Sequence, residues 1–158
     1  MVEQNLAGTA PVDACVLPGA TRAPEPQTPT DVRGSTQGDV GERFARALAA
    51  KDAEQMKALL SPGLDFRAMT PLKFWESDNV DVIVDRTILG TWFAPDRRIT
   101  RLSAMESGDV GSVHRVGYQF EVTRPDGDFV IEQQAYYRTD AGRISWLRIA
   151  CSGFIPVA

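Results

Sequence analysis

Two hairpins in series, between Val113 and Ile155, constrain this chain more than any other feature. Asp126-Gly127 is a strong two-residue hairpin signal, because both turn positions need positive φ. Asp140-Ala141-Gly142 suits a three-residue loop with Gly142 in the left-handed position. The two turns divide the segment into three antiparallel strands whose register can be written out. The first turn sets Val122 opposite Ile131, Phe120 opposite Gln133, Tyr118 opposite Ala135 and Val116 opposite Tyr137, all on one face. The other face pairs Glu121 with Glu132 and Gln119 with Gln134. A slip of one residue would mix the apolar and polar sets, so the pattern supports this assignment of faces. The second turn pairs Thr139 with Arg143. It adds Leu147, Ile149 and Cys151 to the apolar face, opposite Ala135, Gln133 and Ile131. Trp146 and Arg148 join the polar face beside Tyr136 and Gln134.

The segment before these hairpins reads as mainly helical. Asp39 to Ala50 carries Phe44 and Leu48 at helical spacing. Asp52, with Gln55 three positions on, opens a second helix through Met56, Leu59 and Leu60. Ser61-Pro62-Gly63 ends it. Leu64 to Met69 alternates as a strand, with Phe66 and Ala68 on one face and Asp65, Arg67 and Met69 on the other, and Pro71 closes it. Leu72 to Glu76 is expected to make one helical turn. Asp78 is expected to cap a third helix through Val84, Ile88, Leu89, Trp92 and Phe93, broken at Pro95-Asp96. Four strands follow, at about 98–107, 112–124, 128–139 and 143–153.

Residues 1–37 differ from the rest. Pro11, Pro18, Pro24, Pro26 and Pro29 lie among Gly, Ala, Thr and Gln, and no apolar period survives, which predicts a disordered Pro-rich tail. The segment lacks the basic start and the continuous apolar stretch of a signal peptide. No run approaches the roughly 20 apolar residues of a membrane span. The remaining residues, 38–158, are long enough for one domain with its own core. A net charge of -4 without a basic run argues against nucleic acid as a partner. Cys15 and Cys151 lack metal-ligand spacing, and His114 is the only histidine, so no metal site and no cofactor are expected. A reducing, cytoplasmic and bacterial setting is the simpler expectation.

Helix, helix, strand, helix and then a curved antiparallel sheet resembles the nuclear transport factor 2-like superfamily. The residues that carry the resemblance are Phe44-Ala45-Arg46-Ala47-Leu48-Ala49-Ala50-Lys51-Asp52 in the first helices and Gly142-Arg143-Ile144 leading into the last strand, over about residues 39–155. It implies an α+β cone: three N-terminal helices packed on a curved, mostly antiparallel sheet around an internal pocket. The superfamily includes ketosteroid isomerases, SnoaL-like polyketide cyclases, scytalone dehydratases and epoxide hydrolases. Aligned with a ketosteroid isomerase, Phe44 stands where the oxyanion-hole tyrosine would be and Thr70, before Pro71, where the general-base aspartate would be. The protonated aspartate falls at or near Gln134, or at Gln133 with a one-residue turn difference. Phe44 cannot donate a hydrogen bond and Thr70 is no base near neutral pH, so that chemistry is not expected. Scytalone dehydratase needs two histidines, and no SnoaL-like histidine motif is present. The carboxylate–arginine–carboxylate set of epoxide hydrolases could come only from Asp65, Arg67 and Glu132, and Glu132 lies on the face away from the pocket.

On the register above, His114, Tyr118, Gln133, Tyr137 and Cys151 share the apolar face. Polar groups converging in an apolar cavity are the usual make-up of a small-molecule site. His114, the one imidazole of the chain, is a candidate general acid or base. Tyr118 is a candidate donor to a substrate carbonyl, and Gln133 a mid-strand amide that needs partners. Tyr137, Cys151, Arg67, Asp65, Trp75, Trp92 and Phe44 complete the candidate substrate contacts. For each there is a structural alternative: a strand-edge histidine, core tyrosines, an inert thiol, a surface ion pair between Asp65 and Arg67, and core tryptophans. Two functions are consistent with this set. One is a cofactor-independent isomerase, cyclase or dehydratase acting on a hydrophobic polyketide or terpenoid. The other is a non-catalytic ligand-binding or interaction module, suggested by the missing carboxylate base. On the opposite face, Tyr136, Trp146 and Arg148 lie among Gln134 and Glu132, a mixture that predicts a homodimer interface.

Overall fold

The computed structural model describes residues 39–158. The expected tail, residues 1–37, lies outside the described residues, as does Cys15. Helix α1 (Val40–Ala49) buries Phe44, Ala45, Ala47 and Leu48 along one side. Asp52 caps α2 (Ala53–Ala58), its carboxylate accepting the Gln55 N–H at 3.0 Å, as the sequence spacing predicts. Strand β1 (Leu60–Thr70) starts earlier than expected. Leu60 already pairs with Ile144, and the ladder then shifts across Ser61-Pro62-Gly63, with Gly63 at φ +72°, before resuming at Asp65. Phe66 and Ala68 are buried and Asp65, Arg67 and Met69 exposed, as the alternation requires.

The segment expected to form a helical turn after Pro71 is instead strand β2 (Lys73–Ser77), antiparallel to β1. Thr70 pairs with Lys73, which leaves Pro71 and Leu72 as a two-residue turn. Proline fixes the first turn position and Leu72 takes φ +67° at the second, as in a type II turn. The pairing of Ala68 with Trp75 carries the indole to the inner face. The third helix is also not the expected one. Asn79 rather than Asp78 caps it, accepting the Val82 N–H at 3.1 Å. From Val82 to Trp92 it is wound as a π-helix, ending in a Phe93 N–H bond to the Ile88 carbonyl at 2.8 Å. Its buried residues fall in pairs, Ile83 with Val84, Thr87 with Ile88 and Trp92 with Phe93. Those pairs recur every four or five positions, which matches the wider winding.

Strands β3 (Arg98–Val110), β4 (Val113–Arg124), β5 (Gly127–Asp140), β6 (Arg143–Cys151) and β7 (Ile155–Pro156) complete a seven-stranded sheet in the order β2-β1-β6-β5-β4-β3, with β7 on β5. Among the described residues only the β1–β6 pairing is parallel. Bulges at Thr100 and Ser103 bend β3, and the two hydroxyls bond the carbonyls of Glu121 and Gln119 across the break. The helices cover the inner face of this curved sheet. The core between them includes Phe44, Leu48, Met56, Phe66, Ile83, Ile88, Phe93, Phe120 and Leu147.

The first hairpin register differs from expectation by two residues, and the second by one at its turn and by two beyond a bulge. Arg124 pairs with Gly127, so Pro125-Asp126 is the turn, and Tyr118 faces Gln133 while Val122 faces Phe129. Pro125 is preset for the first turn position and cannot donate a ladder bond, and Gly127, at φ +139°, follows the turn. In the second hairpin, Asp140 pairs with Arg143. Ala141 and Gly142 both take positive φ, a two-residue turn rather than three. A bulge at Ser145 then sets Leu147 opposite Tyr137 and Cys151 opposite Gln133. A shift of two preserves parity, so every side chain stays on the face assigned from the sequence.

Candidate functional site

The register lines up Cys151 on β6, Gln133 on β5, Tyr118 on β4 and Met105 on β3 as one row across the inner face. Tyr118 and Gln133 are buried, and the Tyr118 hydroxyl donates to Gln133 Oε1 at 2.8 Å. Burial drives the Tyr118 pKa far above its ordinary value, with the nearby Cys151 adding to the shift. Tyr118 therefore keeps its proton near neutral pH, and that proton is the one given to Gln133. Gln133 Nε2, shielded from water, has no hydrogen-bond partner among the described residues. An unpartnered buried amide of this kind costs about 1–3 kcal/mol.

The space for a ligand lies beside Cys151, at one end of the row. There a cavity of about 400 Å³ is bounded by four segments. The β1–β2 hairpin supplies Thr70, Pro71 and Trp75, and the end of the π-helix supplies Thr91 and Trp92. Arg97 follows the Pro95-Asp96 break, and Cys151 to Phe154 close the far side, with Ile131 behind. Trp75 packs edge-on against Trp92, with ring centres 5.9 Å apart, and donates its Nε1–H to Thr70 Oγ1 at 2.8 Å. Arg97 Nη1 donates to the carbonyls of Thr91 and Trp92, so this side chain caps the end of the π-helix. Its guanidinium lies 5.3 Å from the centre of the Phe154 ring. Cys151 Sγ accepts the Gly153 N–H at 3.4 Å. Among the described residues no carboxylate lines this cavity.

Of the residues singled out in the sequence, Trp75, Trp92 and Cys151 meet at this cavity, with Gln133 and Tyr118 beyond Cys151 in the row. His114 is elsewhere. It pairs with Tyr137 four positions along β4 from Tyr118, a distance of about 13 Å at strand spacing. It is exposed, its Nδ1 is 2.8 Å from Asp109 Oδ1, and its ring lies 5.3 Å from that of Tyr137. Tyr137 is fully buried. Its hydroxyl donates to Asp39 and accepts the Gly41 N–H at 3.2 Å, which ties β5 to the start of α1. Burial, and then the bond to Asp39, raises its pKa. Phe44 is a core residue. Asp65 and Arg67 lie on the outer face, where the main partner of Asp65 is Arg148 at 3.1 Å rather than Arg67 at 4.0 Å. That hydrogen bond holds the Asp65 carboxyl below the usual carboxylate range. Arg97, Thr91 and Phe154 were not singled out as site residues. Arg97 follows a helix-breaking Pro-Asp pair and carries no local sign of an inward direction.

The outer face has a second concavity, of about 680 Å³, between Arg67, Met69, Phe74, Tyr136, Arg148 and Ala150. Phe74 is 81% exposed and Met69 51%. Nearby, Trp146 lies between Arg138 and Arg148, at 4.8 and 4.3 Å from their guanidinium carbons. Among the described residues no cluster of three His, Cys, Asp or Glu could hold a metal ion. No helix among them is long and apolar enough to cross a membrane.

No protein-family profile matches the chain, and no curated protein sequence does. Solved structures do match in shape. A candidate isomerase from Bacillus subtilis superposes with a TM-score of 0.58 at 14% identity, covering 72% of this chain and 84% of that one. A nuclear transport factor 2-like protein from Burkholderia thailandensis gives 0.55 at 17%, covering 72% and 88%. An LEH-like epoxide hydrolase from M. tuberculosis gives 0.53 at 15%, covering 72% and 80%. The fold is therefore that of the nuclear transport factor 2-like superfamily.

Proposed function

We propose that this chain, built on the nuclear transport factor 2-like fold, binds a small, largely apolar molecule in the cavity at the open end of the sheet. The observation that supports this reading is the 400 Å³ space walled by Trp75, Trp92, Pro71, Ile131 and Phe154. Its volume and mostly apolar wall suit a small-molecule site. A polyketide or terpenoid skeleton matches such walls. The Gln133–Tyr118 pair, the polar part of the inner row, lies next to Cys151 and is buried behind the cavity wall. A catalytic version of this reading takes its motive from the structural neighbours described as an epoxide hydrolase and an isomerase. In it, Tyr118 and Gln133 polarise a carbonyl in an isomerase, cyclase or dehydratase type of reaction. His114, about 13 Å along the strand, would act only on a ligand long enough to span that distance.

A neutral solvatochromic dye such as Nile red tests the site. The dye should bind saturably and brighten, and Cys151→Phe, which fills the cavity, should weaken binding by about tenfold or more. Undiminished binding by the filled variant would move the site away from this cavity. For assembly, we propose a homodimer through the outer face around Phe74, Met69, Tyr136, Trp146 and Arg148. Exposed apolar surface beside paired charges is the supporting feature. Sedimentation velocity at micromolar concentration should give a dimer, and Phe74→Glu a monomer; a wild-type monomer refutes it.

A further inference from the structure

We infer that the ligand of this cavity carries a carboxylate, seated on the free edge of Arg97. The inference rests on the small-molecule reading proposed for the same cavity. Nearly every polar side-chain group on its wall is already occupied. Thr70 Oγ1 donates to the Lys73 carbonyl and accepts from Trp75. Thr91 Oγ1 donates to the Arg86 carbonyl. Ser152 Oγ accepts from the Glu132 N–H and donates to the Gly153 carbonyl. Two donors are left over: Trp92 Nε1 and Arg97 Nε are both shielded from water and both without a partner. Donors in surplus, with no acceptor of the described residues at hydrogen-bond distance, call for an acceptor brought by the ligand.

The geometry of Arg97 narrows the class of acceptor. Its Nη1 is held by the two carbonyls that end the π-helix. The opposite edge, Nε with Nη2, is the fork that meets a carboxylate through two parallel bonds. Nη2 makes no hydrogen bond to a described residue. Asp96 Oδ1 stands 3.9 Å from Nε, beyond hydrogen-bond reach. Among the described residues Arg97 is also the only charged side chain on the cavity wall. Asp96 and Lys51 beside Arg97 offset each other, so one positive charge is left to balance: a monocarboxylate leaves nothing unpaired, whereas a phosphate dianion leaves one charge uncompensated among apolar groups. The ligand class is an amphipathic monocarboxylate, its apolar part against Trp75, Trp92 and Phe154.

Isothermal titration of the full chain with sodium octanoate, 1-octanol and octyl phosphate tests this. Octanoate should bind about tenfold or more tighter than 1-octanol, the scale of one charge-assisted fork. Arg97→Gln should bring the two within about twofold while 1-octanol still binds, which also shows that the cavity has survived. If Arg97→Gln fails to fold by circular dichroism, Arg97→Lys decides. It keeps a cation for the helix carbonyls but has no fork, and should lose most of the preference. Equal binding of octanoate and 1-octanol by the wild type overturns the carboxylate and leaves the small-molecule reading standing. So does an undiminished preference in the folded variant, or tighter binding of octyl phosphate than of octanoate. Binding of none of the three probes overturns both.

Discussion

Gly41→Ala is a substitution that should favour a helix and yet weaken this fold. Gly41 is buried in the first turn of α1, and its N–H donates to the Tyr137 hydroxyl at 3.2 Å. A Cβ at this position would stand 2.5 Å from Tyr137 Cε1 and 2.7 Å from both Cζ and the hydroxyl oxygen. The ring has nowhere to go, because Tyr137 is fully buried, bonded to Asp39 and packed under His114. Helix propensity favours alanine by about 0.5–1 kcal/mol. Against this, overpacking costs about 1–3 kcal/mol, and loss of the hydrogen bond adds about 0.5–1.5 kcal/mol. The net expectation is a destabilisation of about 1–3 kcal/mol. In urea unfolding followed by circular dichroism, the midpoint should fall by about 1 M at an unchanged slope. Gly117→Ala is the control. Its Cβ would lie 2.6 Å from Gln134 Nε2, an equally close approach. Gln134 is a half-buried outer-face side chain that can swing aside, giving up one 3.1 Å bond from Arg115. That variant should stay within about 1 kcal/mol of wild type. A wild-type midpoint for Gly41→Ala, or equal losses for both variants, would refute the claim that Tyr137 is immovable.

Tyr118→Phe should cost about 1–2 kcal/mol, because it leaves both ends of the buried Gln133 amide without a partner. Adding Gln133→Met should restore the thermal midpoint to near wild type or above, since both polar partners are then gone; a further loss would show that the amide has another partner. The Asp65 carboxyl is held low by Arg148, so its stabilisation is present above the ordinary carboxylate pKa and disappears as pH falls through the depressed folded value. Asp65→Asn should therefore flatten the acid limb of a stability–pH curve below about pH 4, by less than about 1 kcal/mol because the pair is half exposed. An unchanged acid limb would mean that the pair contributes nothing.

The sheet faces were legible in the sequence because side-chain alternation is a property of parity, and Tyr118, Gln133 and Ala135 keep their parity under any even shift. The turns were less legible. Asp126-Gly127 looks like the stronger signal, but Pro125 cannot occupy a ladder position that needs an N–H, and this moves the turn back by one residue at each end. Strand β2 was hidden because Leu72 to Glu76 is too short for a period to emerge, and Leu72 gives no local hint of positive φ. The winding of the third helix was hidden because the apolar positions from Ile83 to Phe93 also accept an α-helical reading. For the candidate site, Trp75, Trp92 and Cys151 were visible as large or reactive groups on inner faces. Arg97 was not, since its inward direction comes from capping the carbonyls of Thr91 and Trp92, a contact made only after the π-helix has formed.

The turn at Pro125-Asp126 has a consequence far from the surface. Had Asp126-Gly127 formed the turn, every inner side chain would have kept its face, but Gln133 would have stood opposite Phe120, a ring with nothing to offer its amide oxygen. With Pro125 in the turn, Gln133 meets Tyr118 and its carbonyl finds a hydroxyl. Pro125 lies seven positions from Tyr118, roughly 23 Å at strand spacing. The exposed end of the hairpin thus works as an index mark: it decides which interior residue answers which, while the apolar pattern decides only that they face inward.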